Sequence, residues 1–197
     1  PSAHTARSRK YPSAMKVAAI HIAPGRRLPM RPVDHVVAEA GRGLVGDRYH
    51  GSRHRHVTVQ SQEALDLAST DLGYSFACSA TRRNVTVDAG DLPTRPGALI
   101  RIGAVELEVV RVAAPCRLLD DAIGRGAAAA LRGRAGSVFR ILTSGTFEVG
   151  DAVEIIVVFL TPPILPPGLQ SLRAIRLLRL LRLLKLAQLS NRVFSNQ

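Results

Sequence analysis

A cysteine follows a proline in RVAAPCRLL (111–119), and it is one of only two cysteines in the chain. Cys116 closes an apolar run of strand character and precedes Arg117 and LLDDAI, which reads as a short helix. A thiol at a strand end, beside a cation and ahead of a helix, is placed to work as a thiolate, either as nucleophile or as soft-metal ligand. The competing reading is a small buried hydrophobe, since free cysteine is among the most buried residue types. Cys78, in SFACSAT, lacks that setting and reads as incidental. A second cluster is RYHGSRHRHV (48–57), with His50, His54 and His56; the last two share one strand face with Thr58. No further Cys or His stands at zinc-ligand spacing, so a loop rich in polar donors is favoured over a metal centre. The third cluster is Arg82-Arg83-Asn84, with Arg48 in GDRYHG. Guanidinium forks suit phosphate and carboxylate, and a solvated strand end is the alternative. GRGLVG (41–46) lacks the lysine and following helix of a phosphate-binding loop, and no Ser/His/Asp arrangement supports nucleophilic hydrolysis.

Short strands must position these side chains. Apolar alternation predicts strands over 16–23, 33–40, 56–61 and 83–89, and a hairpin over 98–113 hinged at Gly103. SVFRILTSGTFEVGDAVEII (137–156) reads as two strands joined at Ser144-Gly145, with Gly150-Asp151 as a bulge or tight turn in the second. Helical spacing appears in SQEALDLASTDLG, with Ser61 as N-cap and Gly73 as stop, and in GAAAALRG (126–133). The expected fold class is mainly β with a few short helices, barrel-like, because regular long helices do not alternate with the strands.

Length and composition allow one good-sized domain with an extension: 197 residues, 46% hydrophobic, 4% aromatic and no Trp. Two cysteines make no disulfide framework and no secretory signal pattern is seen, so a reducing, cytoplasmic setting is expected. The net charge of +12 invites a nucleic-acid reading, but it sits mostly at the ends. Residues 1–14 carry three cations and no acid, residues 156–197 carry six and no acid, and +3 remains for the middle. Without interleaved aromatics for base stacking, nucleic-acid binding is not expected of the core. Residues 1–14 are expected to be a disordered leader, with a domain over 15–156 and a Pro-rich linker and basic helical tail over 157–197.

GRGLVGDRYHG (41–51), HVTVQSQEAL (56–65), RRNVTVDAGDL (82–92), PGALIRIGAVELEVVRVAAPC (96–116) and RAGSVFRILTSGTFEVGDAVEI (134–155) follow one another as in the MOSC domain. That domain forms the C-terminus of molybdenum-cofactor sulfurases and also occurs as stand-alone bacterial proteins. The resemblance covers about residues 15–156. It implies a β-barrel-like domain in which Cys116 carries sulfur as a persulfide or ligates molybdenum. It also implies that Arg82, Arg83 and Asn84 face the pocket, binding the phosphate of the molybdenum cofactor (molybdopterin) or fixing the barrel wall, with Arg48 and Arg117 as further cofactor-binding residues. Asp47 and Arg48 of the GDR turn are expected to shape their loop, and Gly150 and Asp151 to be structural. The resemblance leaves turnover open between a sulfur transferase and a component of a molybdenum-dependent reductase. No pyridoxal-phosphate site is expected, so a sulfur donor such as a cysteine desulfurase would have to load Cys116.

LRAIRLLRLLRLLKLA (172–187) places five cations at intervals of three, spacing that resembles the voltage-sensing helix of cation channels. On an α-helix these charges spread around the axis instead of forming one stripe. The function does not follow, because no apolar run of membrane-spanning length lies in 1–155 to supply partner helices. The readings weighed for this tail are a basic helix on an anionic membrane surface, making the protein membrane-peripheral, and a solvated or fused appendage. The rival functional reading is therefore a noncatalytic binding module targeted by that tail to a membrane surface or nucleic acid.

Overall fold

The computed structural model describes residues 15–156. The leader over 1–14 and the linker and basic tail over 157–197 lie outside the described residues. In chain order, β1 (Val17–Ile22), β2 (Arg31–Val33), β3 (His35–Glu39) and β4 (Gly43–Leu44) come first. β5 (Val57–Ser61) runs directly into α1 (Gln62–Leu72), and a 3₁₀ turn over Cys78–Thr81 precedes β6 (Val85–Val87). β7 (Leu99–Ile102) and β8 (Val105–Val112) form the hairpin expected at Gly103. α2 (Leu118–Ala122) and α3 (Ala127–Ala130) then lead to β9 (Ser137–Ile141), β10 (Gly145–Glu148) and β11 (Val153–Ile156).

Eight strands form one sheet in the order β11-β7-β8-β9-β5-β6-β1-β2, curled into a half-barrel, and β10-β3-β4 form a second. The two sheets share one core, in which Val57, Val59, Leu107 and Phe139 of the large sheet meet Val36, Leu44 and Phe147 of the small one. β5 and β6 pair in parallel, a geometry that needs a crossover connection, and α1 supplies it. Gly73 ends α1 in a left-handed conformation, its N–H returning to Ser69 O and Thr70 O. Ser61 stands at the N-cap position, but its hydroxyl makes no capping bond. The fold class is mainly β with short helices, as the sequence predicts.

The helices build a second, smaller core outside the sheet, where Leu65 and Ala68 of α1 meet Leu119, Leu131 and Ala135. That layer explains why all five residues of β5 are buried although their sequence alternates. Val57 and Val59 enter the barrel core, and Thr58 and Gln60 point to the opposite, also covered face. Burying those polar groups requires partners. Gln60 Nε2 donates to Cys78 O and Thr86 Oγ1, both at 3.1 Å, and its Oε1 accepts from Thr81 Oγ1 at 2.7 Å.

Two segments depart from expectation. The 33–40 run divides at Asp34: β2 pairs with β1 in the large sheet, whereas β3 pairs with β10 in the small one. Residues 137–156 form three strands instead of two, because the Gly150-Asp151 turn divides the second. Both edges of β9 are taken by β5 and β8, so the chain after Ser144 cannot fold back onto it. It joins β3, and beyond the Gly150-Asp151 turn it joins β7. No helix among the described residues is long and apolar enough to cross a membrane.

Gly136 fixes how the chain enters β9. Its φ is +75° and a Cβ there would lie 2.0 Å from Val59 O, so only glycine lets the two backbones approach. Its carbonyl accepts the N–H of Ala113 at 2.9 Å, which ties the end of β8 to this entry. Gly136→Ala should therefore destabilise the domain by about 3 kcal/mol in urea denaturation. A loss below about 0.5 kcal/mol would contradict the packing described.

Candidate functional site

The site is assembled where β1 ends, β6 begins and β8 ends. At its back lies a buried polar hub. Asn84 accepts from Thr58 N (3.2 Å) and Thr58 Oγ1 (2.8 Å) through Oδ1, and its Nδ2 donates to His21 O (3.2 Å) and Asp47 Oδ1 (3.1 Å). Asp47 Oδ1 also accepts from Ala23 N (3.1 Å), and Oδ2 accepts from Tyr49 N (3.1 Å). Both side chains are almost wholly buried, so every bond is one that water cannot replace.

Arg48 extends the hub toward the front. Its guanidinium meets Asp47 Oδ1 at 3.3 Å with both side chains buried, donates to Met30 Sδ at 3.0 Å, and donates to Arg82 O at 2.9 Å. That last carbonyl belongs to a residue at φ +60°, the C-cap of the 3₁₀ turn. Among the described residues only Arg27 and Arg82 are non-glycines at positive φ. Both line the same cavity, where stored strain marks a site held in place by its surroundings.

The cavity holds about 300 Å³. Among the described residues, six of its twelve lining residues are arginines (Arg26, Arg27, Arg48, Arg55, Arg82 and Arg83), and none is an acid. Cys116, exposed, is another of the lining residues. Arg83 acts as a staple: Nε donates to Ala135 O (3.0 Å), and Nη2 donates to Ala113 O (3.3 Å) and Ala114 O (3.5 Å). These carbonyls lie immediately before Cys116 in the chain and immediately before β9, so Arg83 sets the path that delivers the thiol. Arg48 and Arg55 both lie over the Tyr49 ring, at 4.8 and 4.1 Å from its centroid, a cation–π arrangement that organises the two charges.

The electrostatics describe a site short of negative charge. Burial pulls the Arg83 pKa down to about 10, with the Arg55 and Arg48 cations pushing the same way and Cys116 and Tyr49 opposing. Burial also lowers Arg55, and Arg48 and Arg111 add to that against Tyr49 and Asp47. Arg82 is lowered by burial first and by Arg48 second. Two buried donors in the lining, Arg55 Nε and Arg82 Nη2, have no partner among the described residues. An anion seated here would relieve the mutual repulsion of the guanidinium groups.

Of the residues expected from sequence, Arg48, Arg82, Arg83 and Cys116 come together on this cavity. Asn84 is buried behind it and does not line it; its bonds hold the wall. Arg117 is exposed at the start of α2, outside the lining. The three histidines diverge: His50 Nε2 meets Glu39 Oε2 at 2.9 Å, His54 is exposed, and His56 is buried with Nδ1 accepting from Ile141 N at 3.0 Å. Burial lowers the His56 pKa and keeps the ring neutral. Arg26, Arg27, Tyr49 and Arg55 were not singled out from sequence. Their signal was present, since Arg26-Arg27 follow the Pro24-Gly25 stop and Arg55 lies among the histidines, but only the fold brings them beside Cys116.

The MOSC domain model matches residues 46–154, more than half of the chain. The chain belongs to the MOSC domain family. Solved structures of similar fold include the YuaD protein from Bacillus subtilis, 18% identical with a TM-score of 0.64, over 73% of this chain and 96% of that one. YiiM from Geobacillus stearothermophilus is 19% identical with a TM-score of 0.60, over 73% and 75%. YiiM from Escherichia coli is 17% identical with a TM-score of 0.59, over 75% and 72%. No curated protein matches the chain. The MOSC family is typically concerned with the molybdenum cofactor, and at these identities the solved structures speak to fold alone.

Strain at the cavity has a measurable consequence. Arg27 is exposed with φ +64°, so Arg27→Gly should stabilise the domain by about 1 kcal/mol in urea denaturation. Destabilisation by a similar amount would show that the side chain contributes to the fold itself.

Proposed function

We propose that the arginine-lined cavity binds the molybdenum cofactor by its phosphate-bearing tail and that Cys116 serves the metal–sulfur end. One observation carries this reading: an exposed thiol shares a cavity with six arginines, two of which hold buried donors without partners. The donor set fits the group, since guanidinium forks match phosphate oxygens and a thiolate is a soft ligand for a thiophilic metal. When bound, such a cofactor supplies a redox-active metal centre.

The residues then divide the work. Arg55 and Arg82 direct their free N–H groups at the anion. Arg48 positions Arg82 through its carbonyl, and Tyr49 orders Arg48 and Arg55. Arg83 holds the Ala113–Cys116 segment so that the thiol opens into the cavity. Sulfur carriage uses the same arrangement. The Cys116 thiolate attacks the terminal sulfur of a donor persulfide, the donor's S–S bond breaks, and the donor's thiolate leaves with the electron pair. No external oxidant is needed, and a cysteine desulfurase is the class of partner that bears such a persulfide.

The 197-residue chain mixed with molybdenum cofactor released from a donor enzyme, desalted and assayed for metal, should retain near-stoichiometric molybdenum. Arg55→Ala should weaken retention by about tenfold or more, and Cys116→Ser should also reduce it. Folded wild-type protein that retains no molybdenum would overturn cofactor binding. Gain of a single sulfur by the wild type alone, in nonreducing intact mass after exposure to a persulfide donor, would then leave Cys116 as a carrier.

A further inference from the structure

We infer that the mouth of this cavity is a docking surface for a partner protein whose contact face is acidic around an apolar centre, the partner that exchanges sulfur with Cys116. The inference rests on the sulfur-carrying reading above and specifies the partner's surface. Two segments frame the mouth. The turn between β1 and β2 carries Arg26 and Arg27, which line the cavity, and then Leu28. The segment entering α2 carries Cys116, Arg117 and Leu118, of which the first and last line it. Leu28 is 49% exposed and Leu118 52%, so each segment offers a large apolar side chain to solvent near the exposed thiol.

Local structure holds both leucines there. Leu28 N donates to Gly25 O at 3.4 Å, closing a turn in which Arg27 takes its positive φ. A Cβ on Gly25 would lie 2.9 Å from Leu28 Cδ1, so glycine leaves the leucine room against the turn. Leu28 O accepts from Arg82 Nη1 at 2.9 Å, which ties the turn to the cavity wall. On the other side, Leu119 is buried in the helical core while its neighbour Leu118 stays exposed. Leu119 N donates to Cys116 O at 2.9 Å, so thiol and leucine share one anchored turn. A small persulfide has no use for such a rim, whereas exposed apolar side chains set among arginines are what a protein contact uses. The charge selects the partner. Arg26, Arg27 and Arg117 are exposed and meet no carboxylate among the described residues, whereas Arg101 and Arg140 on the sheet pair with Glu106 and Glu108. Of the two acids on α2, Asp120 accepts from Ala128 N at 2.9 Å, which leaves Asp121 as the exposed one. A face with acids around an apolar centre therefore complements this mouth, and the cations speed its approach.

Short peptides that carry one cysteine as its 2-thiopyridyl disulfide serve as probes of this surface on the 197-residue chain. The Cys116 thiolate attacks the peptide's cysteine sulfur, the S–S bond breaks, and pyridine-2-thiolate leaves with the electron pair. The adduct is read on the proteolytic peptide that contains Cys116, apart from any at Cys78. A probe with leucines beside its cysteine and glutamates outside them should react about tenfold faster than one with serines for the leucines. At low salt it should also outpace a probe with lysines for the glutamates by about tenfold. Leu28→Ser and Leu118→Ser should each cut the leucine advantage to about twofold, and Arg117→Gln should cut the glutamate advantage about threefold. Leu28→Ser should leave the rate of Cys116 with iodoacetamide unchanged, which controls for folding. Equal rates for the leucine and serine probes, or for the glutamate and lysine probes, would overturn the docking surface while molybdenum retention and sulfur gain stand unaffected. Vesicles of phosphatidylglycerol that shield Cys116 from iodoacetamide in the wild type, but not in Leu28→Ser, would assign the surface to a membrane and overturn the protein partner. A Cys116 that resists iodoacetamide as well as every probe would overturn this surface and the sulfur-carrying reading together.

Discussion

The bond between Asn84 and Asp47, buried where three strands and a loop meet, is the constraint on which the site depends. A carboxylate and an amide removed from water must have every partner in place, and each missing one costs about 1–3 kcal/mol. Asn84 spans β1 through His21, β5 through Thr58 and the GDR turn through Asp47. No apolar pair of similar size could specify three directions at once. The hub thereby fixes the position of Arg48, whose guanidinium holds Arg82 O, and so the left-handed residue that aims a second arginine into the cavity.

In front of the hub, the molecule gathers what folding alone would avoid. Non-glycine left-handed residues, arginines depressed by burial and by one another, and two unpartnered buried donors meet on one cavity. Each is unfavourable in isolation, and together they are complementary to one kind of ligand, an anion. Structural devices around the cavity make this tolerable: the Arg83 staple, the Tyr49 cation–π contacts and the close approach at Gly136. These departures from local rules gather where function is expected.

Much of this was legible in the sequence because the signals are local. Alternation marks β1, β5 and the β7–β8 hairpin, Gly73 stops α1, and the ordered motifs identify the family. What was not legible depends on pairing across the chain. Alternation in HVTVQS signals a half-exposed strand, yet α1 and its neighbours cover the polar face. The run over 137–156 cannot reveal that β9 has both edges occupied. The RRN motif points to three site residues, but the backbone sends Arg82 and Arg83 forward and Asn84 back into the wall. Arg26, Arg27 and Arg55 look like solvated cations until the loops converge.

The account stands on Cys116 opening into a strongly positive cavity, and one comparison tests that directly. The rate of Cys116 carboxymethylation by anionic iodoacetate, divided by the rate with neutral iodoacetamide, reports the local potential at the sulfur. In the folded protein this ratio should exceed that of the urea-unfolded chain by about tenfold at low salt and fall toward it as salt screens the arginines. A ratio equal in folded and unfolded protein, and indifferent to salt, would contradict the account.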